Sequence, residues 1–196
     1  MKSILLASKN LGKVKEINEI FNDGLFNILS LRGIEDVPDV VEDGKTFEAN
    51  ARKKAKEYYE TFFIPVIADD SGLAVEQLLD APGVYSARYS GENATDEENN
   101  KKLLNELSNH PEPHPAKFVC SAVYYDGKEF LVANDYVSGQ IIKEPRGTNG
   151  FGYDPLFVPD GYTKTSGELT LVEKNQISHR AKAFRKLKEL ILTHTK

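Results

Sequence analysis

Two adjacent carboxylates and a hydroxyl, those of Asp69, Asp70 and Ser71, follow directly after a short apolar run. Residues 65–68 predict a buried strand. The polar groups that follow are costly to bury without partners, so the strand is expected to end there. Neighbouring residues on a strand point to opposite faces, so we expect different roles for the two aspartates. One carboxylate is expected to be catalytic and the other to anchor a turn. A solvated Asp-Ser-Gly turn without function is the alternative.

A second polar stretch, residues 8–13, lies between a predicted strand at 3–7 and a predicted helix. The start of a helix carries free backbone amides and a partial positive charge, and therefore favours an anion. Ser8, Asn10 and Lys13 add donors, which makes this turn a candidate phosphate site. Serine and asparagine also cap helices for structural reasons alone.

An acidic loop, residues 35–43, separates a predicted second strand at 26–31 from a long predicted helix at 46–62. Thr46 is suited to cap that helix. Glu42 lies just before the helix and is the best candidate in this loop for a carboxylate brought to a site, although most acidic loop residues are simply solvated.

The later part of the chain has the pattern of an antiparallel meander. Residues 118–125 and 130–137 flank Asp126-Gly127, a signal for a two-residue hairpin turn, and residues 138–142 continue the sheet. Because the early strands alternate with helices, as in a parallel arrangement, we expect an α/β fold with a mixed sheet.

A glycine-rich stretch, residues 145–155, has the composition of a binding loop. Its glycines would let the backbone approach a ligand while Phe151 or Tyr153 stacks on a planar ring. The alternative is a turn whose aromatic side chains fold onto the core. The third glycine position of a dinucleotide fingerprint holds Pro155, which excludes a Rossmann site. A Walker A loop ending at residues 44–46 is excluded in the same way, by Asp39.

The last predicted helix begins with two cationic side chains. Ser178 is placed to cap it, and His179 and Arg180 follow. Cations oppose the helix dipole there, so we expect a compensating ligand or carboxylate. The alternatives are purely structural roles: a salt bridge for Arg180 and a half-buried hydrogen bond for His179. The buried stripe of this helix is predicted to consist of Ala181, Phe184, Leu187 and Ile191.

Composition limits the remaining possibilities. A chain of 196 residues with 40% hydrophobic and 28% charged residues is consistent with one domain, 1–196, and no apolar run is long enough for a membrane span. We therefore expect a cytoplasmic protein without a membrane partner. The net charge of −5 argues against a general nucleic-acid surface. Cys120 is expected to be a buried structural thiol, and His110 and His114 are expected to be loop residues and not zinc ligands.

Six motifs occur in order along nearly the whole chain: SKNLGK, EDGKTFEANA, IADDSGLAV, APGVYSARYSG, GFGYDP and ISHR. With these motifs the chain resembles the inosine triphosphate pyrophosphatase (Ham1-like) family. The resemblance implies an elongated mixed sheet flanked by helices, with two lobes, a central active-site cleft and usually a homodimer. It also implies Mg²⁺-dependent hydrolysis of ITP, dITP and XTP to the monophosphate and pyrophosphate.

The resemblance also assigns roles to residues. It implies that Asp70 is the catalytic carboxylate and that Glu42 and Asp70 bind Mg²⁺, while spacing alone leaves Asp43 as an alternative to Glu42. Residues of the first motif would hold the triphosphate, Ser71 would assist Asp70, and the residues from Phe151 onward would contact the base. The implied substrate-binding residues are Ser8, Lys9, Asn10, Lys13, Ser71, Phe151, Gly152, Tyr153, Asp154, Lys174, His179 and Arg180.

Two other functions compete with this one. A haloacid-dehalogenase-type phosphatase would need a second aspartate two positions after the first, where Ser71 or Gly72 stands. A non-catalytic nucleotide sensor would use the same phosphate and base pockets, and only the presence of Asp70 and Glu42 argues against it.

Overall fold

The structure is a computed structural model that describes residues 2–34 and 36–194. Glu35, the first residue of the predicted acidic loop, lies outside the described residues. The strands are β1 (Lys2–Leu6), β2 (Phe26–Ser30), β3 (Val66–Val75), β4 (His114–Tyr125), β5 (Phe130–Ile141) and β6 (Phe157–Pro159). They form one six-stranded sheet in the order β2-β1-β3-β4-β5-β6. β1 pairs in parallel with β2 and β3, and β5 pairs antiparallel with β6, which confirms the mixed sheet.

Side-chain caps mark the starts of four helices in the described part of the chain. The helices are α1 (Leu11–Ile20), α2 (Phe47–Phe62), α3 (Asp96–Leu107), α4 (Leu171–Ile177) and α5 (His179–His194). The side chain of Asn10 accepts from the amide of Lys13 at the start of α1, and that of Thr46 accepts from Ala49 at the start of α2. No helix among the described residues is long and apolar enough to cross a membrane.

The chain divides into two compact units, each with its own apolar core. The first unit comprises the chain up to Asp70, Cys120–Asp135 and the chain from Arg180 onward, and the second comprises Ser71–Val119 and Tyr136–His179. In the first unit α5 supplies the predicted stripe, and Ala181, Phe184, Leu187 and Ile191 are all fully buried. The core of the second unit is built from β3, β4, α3 and the region around β6.

Strand β3 is longer than the sequence predicts. The expected turn at residues 69–72 is wrong, because the strand continues through both aspartates to Val75. Asp69 and Asp70 are both buried within it. Burial of two carboxylates is tolerable only when other groups compensate their charge, and the sequence pattern contains no direct signal for such partners.

Two smaller expectations also need correction. The side chain of Asp126 accepts from the amides of Lys128 and Glu129, so the connection between β4 and β5 spans residues 126–129 and is not a two-residue turn. His114 is not a loop residue: it begins β4, it is buried, and its Nδ1 lies 2.7 Å from the side-chain oxygen of Gln77. The expectation for Cys120 is confirmed, since its thiol is free and fully buried.

The α5 stripe can be tested with two leucines on the same helix. Leu187 is fully buried, whereas Leu190 is 41% exposed. We expect Leu187→Ala to lower the free energy of unfolding by about 2–5 kcal/mol, because it removes apolar contacts and leaves a cavity. Leu190→Ala should change it by only about 0.5 kcal/mol. Urea unfolding checks both values, and equal losses would contradict the packing described.

Candidate active site

Asp69 is surrounded by cations. Its Oδ2 lies 3.0 Å from Nζ of Lys13 on α1 and 3.3 Å from Nε of Arg180 on α5. Burial by itself raises the pKa of a carboxyl, but the charges of Lys13 and Arg180 outweigh it and hold the pKa of Asp69 well below its ordinary value. Asp69 is therefore an ionised anchor that joins two helices to the central strand.

Arg180 also contacts the carboxylate of Glu16 through Nη1, and both side chains are only 2% exposed. The expected compensating carboxylate at the start of α5 is thus present twice, in Glu16 and in Asp69. Glu16 was not among the sequence candidates. Its signal is its position on α1 between the apolar residues Val14 and Ile17, both of which are buried.

Asp70 has a different environment from its neighbour. Nδ2 of Asn50 donates to its Oδ2 over 2.8 Å. Burial and the nearby charge of Glu42 raise the pKa of Asp70, and Lys13 and Lys54 oppose this only in part. A buried carboxyl whose pKa is displaced by burial and a specific charge is typical of a functional site.

The loop before α2 carries two carboxylates, of which Glu42 lies near Asp70 and Asp43 is turned toward solvent. Glu42 forms an ion pair with Lys54, whose Nζ also donates to the backbone oxygen of Asp69 over 2.9 Å. Asp43 instead pairs with Lys53, at 2.7 Å, and its side chain is 67% exposed. The geometry therefore favours Glu42 over Asp43 as the second carboxylate near Asp70.

Two residues of this group, Asn50 and Lys54, were missed by the sequence analysis. Both lie on the buried face of α2, in line with Ala51, Ala55 and Tyr58. Polar side chains at the apolar spacing of a helix are the signal that could have identified them. Burial lowers the pKa of an amine, yet the nearby carboxylates prevail and raise the pKa of Lys54.

The predicted phosphate turn precedes α1. The hydroxyl of Ser8 accepts from the amide of Asn10, and the side chain of Asn10 accepts from the amide of Lys13. Lys9 is exposed and forms an ion pair with Asp39 at 2.7 Å. Asn10 thus caps α1, which is the purely structural role considered for it. Its contact with phosphate stays a prediction. Ser71 follows Asp70 on β3 and is half-buried.

In the second unit the glycine-rich loop is organised by Asp154. Its Oδ2 accepts from Nζ of Lys174 over 2.7 Å and from the amide of Phe151 over 2.9 Å. The Lys174 ammonium lies 5.0 Å from the centroid of the Phe151 ring. A Cβ at Gly150 would lie 2.1 Å from the same carboxylate oxygen, and the φ of Gly150 is +79°, so glycine is needed there.

The next residue of the loop is held by α3. The amide of Gly152 donates to Asp96 over 2.7 Å, and Asn100 donates to the Gly152 carbonyl over 3.1 Å. Tyr153 is buried in the core, where its hydroxyl donates to the carbonyl of Ser86. Phe151 is therefore the aromatic side chain of this loop that stays partly exposed.

His179 also belongs to the second unit. Its ring stacks on Phe118, with 4.9 Å between the ring centroids and 11° between the planes, and the residue is buried. His179 is thus buried and not half-buried as expected, and its stacking contact with Phe118 orients the ring.

The carboxylates of Glu42 and Asp70 can be compared with the ligands that a metal requires. Among residues 2–34 and 36–194, no three His, Cys, Asp or Glu side chains form a cluster that could hold an ion. Mg²⁺, however, commonly takes one or two carboxylates and completes its octahedral shell with water and substrate phosphates. Glu42 and Asp70 supply that type of oxygen donor, so the residues present fit this metal.

Comparisons with known proteins agree with the fold and with the motifs. Residues 4–190 match the sequence profile of the Ham1 family. A dITP/XTP pyrophosphatase from Clostridium perfringens is 50% identical over 96% of this chain and 97% of its own length. One from Geobacter sulfurreducens is 47% identical, with 96% of each chain covered.

Solved structures extend the agreement to three dimensions. A HAM1 protein from Coxiella burnetii has a TM-score of 0.89 and 38% identity, covering 98% of this chain and 100% of its own. The Staphylococcus aureus Ham1 protein has a TM-score of 0.86 and 41% identity, with both chains fully covered. Because sequence and structure match over almost the entire length, this chain belongs to the Ham1 family.

Proposed function

We propose that the protein hydrolyses non-standard purine nucleoside triphosphates, namely ITP, dITP and XTP, to the nucleoside monophosphate and pyrophosphate. The observation that carries this proposal is the buried Asp70 with Glu42 beside it, in a chain that aligns over its length with dITP/XTP pyrophosphatases. Such an activity would remove these nucleotides from the nucleotide pool.

The chemistry assigned to Asp70 is that of a general base. A water molecule gives a proton to Asp70, its oxygen bonds to the α-phosphorus, and the bond from that phosphorus to the bridging oxygen breaks. Pyrophosphate then leaves. Without metal, burial and the charge of Glu42 raise the pKa of Asp70, and a raised pKa strengthens a carboxylate as a proton acceptor.

Glu42 and Asp70 would hold Mg²⁺, which when bound would neutralise charge on the phosphates. Lys13, near the start of α1, is assigned to the triphosphate, where its ammonium would add to the favourable field of the helix start. Since Lys13 already pairs with Asp69, its contact with the phosphates stays a prediction. The homodimer and the cytoplasmic location stay predictions.

The purine base is assigned to the residues around Asp154 in the second unit, namely Phe151, Asp154, Lys174 and His179. Phe151 would stack on the ring, and Asp154, Lys174 and His179 would contact its edge. Arg180 can only donate hydrogen bonds, which suits the keto oxygen at the 6-position of hypoxanthine and xanthine and not the amino group of adenine. Since Arg180 already binds Glu16 and Asp69, its contact with the base stays a prediction.

A pyrophosphate-release assay with ITP and Mg²⁺ tests the proposal directly. The wild-type protein should turn over ITP and XTP and leave ATP largely intact. Asp70→Asn should lose at least about a hundredfold in kcat, the scale of one positioned acid-base group. A folded Asp70→Asn protein with normal kcat would remove Asp70 from the mechanism. Tight nucleotide binding without turnover by the wild type would instead support a sensor.

The raised pKa of Asp70 also makes a prediction about stability without metal. The folded state binds this proton more tightly than the unfolded state, so stability is lost as pH rises from the ordinary value of 3.8 through the folded-state pKa. Asp70→Asn should therefore raise the free energy of unfolding at pH 7 in EDTA, and the gain should shrink below about pH 4.

Asp43→Asn is the control for this measurement, because the ion pair with Lys53 lowers the pKa of Asp43. That variant should show no gain in stability at pH 7. Urea unfolding at pH 7 and pH 4 measures both variants, and an Asp70→Asn protein less stable than the wild type at pH 7 would contradict the prediction.

Lys13→Ala should raise KM for ITP and XTP by a similar factor, about tenfold to a hundredfold, because it removes a charged donor from the phosphates and not from the base. Lys15→Ala on the same helix is the control, since Lys15 is exposed. Steady-state kinetics with both substrates measures the effect. A loss confined to one base would show that Lys13 does not act on the triphosphate.

A further inference from the structure

The amide of Asn50 connects the loop before α2 to the carboxylate of Asp70. Its Oδ1 accepts from the backbone amide of Gly44 over 2.7 Å, and its Nδ2 donates to Oδ2 of Asp70 over 2.8 Å. Asn50 is fully buried. A side chain bonded at both ends in a dry environment has little freedom to rotate.

Only one orientation of this amide satisfies both neighbours. The backbone nitrogen of Gly44 can only donate, so it requires the oxygen end of the Asn50 amide. The nitrogen end is thereby directed at Asp70, whose carboxylate accepts. The reversed amide would oppose two donors at Gly44 and two acceptors at Asp70, and both mismatches would be buried.

Gly44 is a condition for this arrangement. A Cβ at residue 44 would lie 2.5 Å from Oδ1 of Asn50 and 3.0 Å from Cβ of Ala49. The nearest of these atoms is the end of the Asn50 side chain, so that amide is the group that would have to move. The absence of a side chain at Gly44 thus lets the loop that carries Glu42 approach α2 closely enough to hold Asn50.

We propose that Asn50 is a positioning residue. Its Nδ2 sets the rotation of the Asp70 carboxylate, while the backbone amide of Gly44 holds its Oδ1. This inference rests on the proposed function, in which Asp70 takes a proton from water. A general base must lie within hydrogen-bond reach of that proton, and small errors of placement cost up to about a hundredfold in rate.

Three variants separate the two bonds of Asn50. Asn50→Leu removes both at similar volume. Asn50→Asp keeps an acceptor for Gly44 and replaces the donor that faces Asp70 by a second carboxyl oxygen. Gly44→Ala keeps Asn50 and displaces its amide, because the added Cβ would lie 2.5 Å from Oδ1 of Asn50; its contacts with α2, 3.0 Å to Cβ of Ala49 and 3.1 Å to the backbone nitrogen of Asn50, are less close. If the bond to Asp70 is the one that matters, all three should lower kcat for ITP by about tenfold to a hundredfold, with KM within about threefold of wild type.

Asn99 is a matched control in the second unit. Asn50 stands four residues after the capping Thr46, and Asn99 stands four residues after the capping Thr95. Asn99 is also buried, accepts from a loop amide, that of Ser90, and donates to a backbone oxygen. Asn99→Leu should therefore lose stability in urea as Asn50→Leu does, yet keep kcat within about twofold.

The outcomes are distinguishable. A wild-type protein that releases no pyrophosphate from ITP would overturn the proposed function, and this inference with it. An active wild type with a folded Asn50→Leu or Asn50→Asp protein of normal kcat would overturn this inference alone. A kcat loss in Asn99→Leu equal to that in Asn50→Leu would also overturn it, because a general loss of packing would then explain both. Gly44→Ala decides the matter if the Asn50 variants do not fold.

Discussion

The burial of two neighbouring carboxylates in one strand is the constraint on which the first unit depends. Ionised carboxylates are very costly to remove from water unless other groups compensate them. Three helices supply such groups: α1 supplies Lys13, α2 supplies Asn50 and Lys54, and α5 supplies Arg180. The packing of three helices around β3 is therefore tied to the charge balance of its centre.

The two carboxylates are compensated unequally, and this inequality gives them different chemistry. Asp69 receives cations, which lower its pKa, whereas Asp70 receives a neutral amide and stands near a further carboxylate, which together with burial raises its pKa. Neighbouring groups whose environments drive their pKa values apart can serve as a permanent anion and as a proton acceptor. The period of two along a strand makes this separation possible, because it turns the side chains to opposite faces.

The glycines of the two motif regions have a common purpose, which is close approach and not flexibility. Gly44 lets a loop amide reach Asn50, and Gly150 leaves room for the carboxylate of Asp154. In each case the nearest atom to an added Cβ is a side-chain oxygen that orients another functional group. In both places a loop amide holds the buried polar side chain, that of Gly44 for Asn50 and that of Phe151 for Asp154.

The sequence by itself determined the class of the fold, the cap of α2, the buried stripe of α5 and the stretches that carry the candidate site. These features depend on local periodicity and on contacts between residues close in the chain, which a sequence pattern contains. Only the tertiary structure decided the continuation of β3 through Asp69 and Asp70, the choice of Glu42 over Asp43 as the carboxylate near Asp70, and the parts played by Glu16, Asn50 and Lys54. Each of these depends on charges and hydrogen bonds between groups that are distant in sequence, and their compensation exists only after the chain has folded.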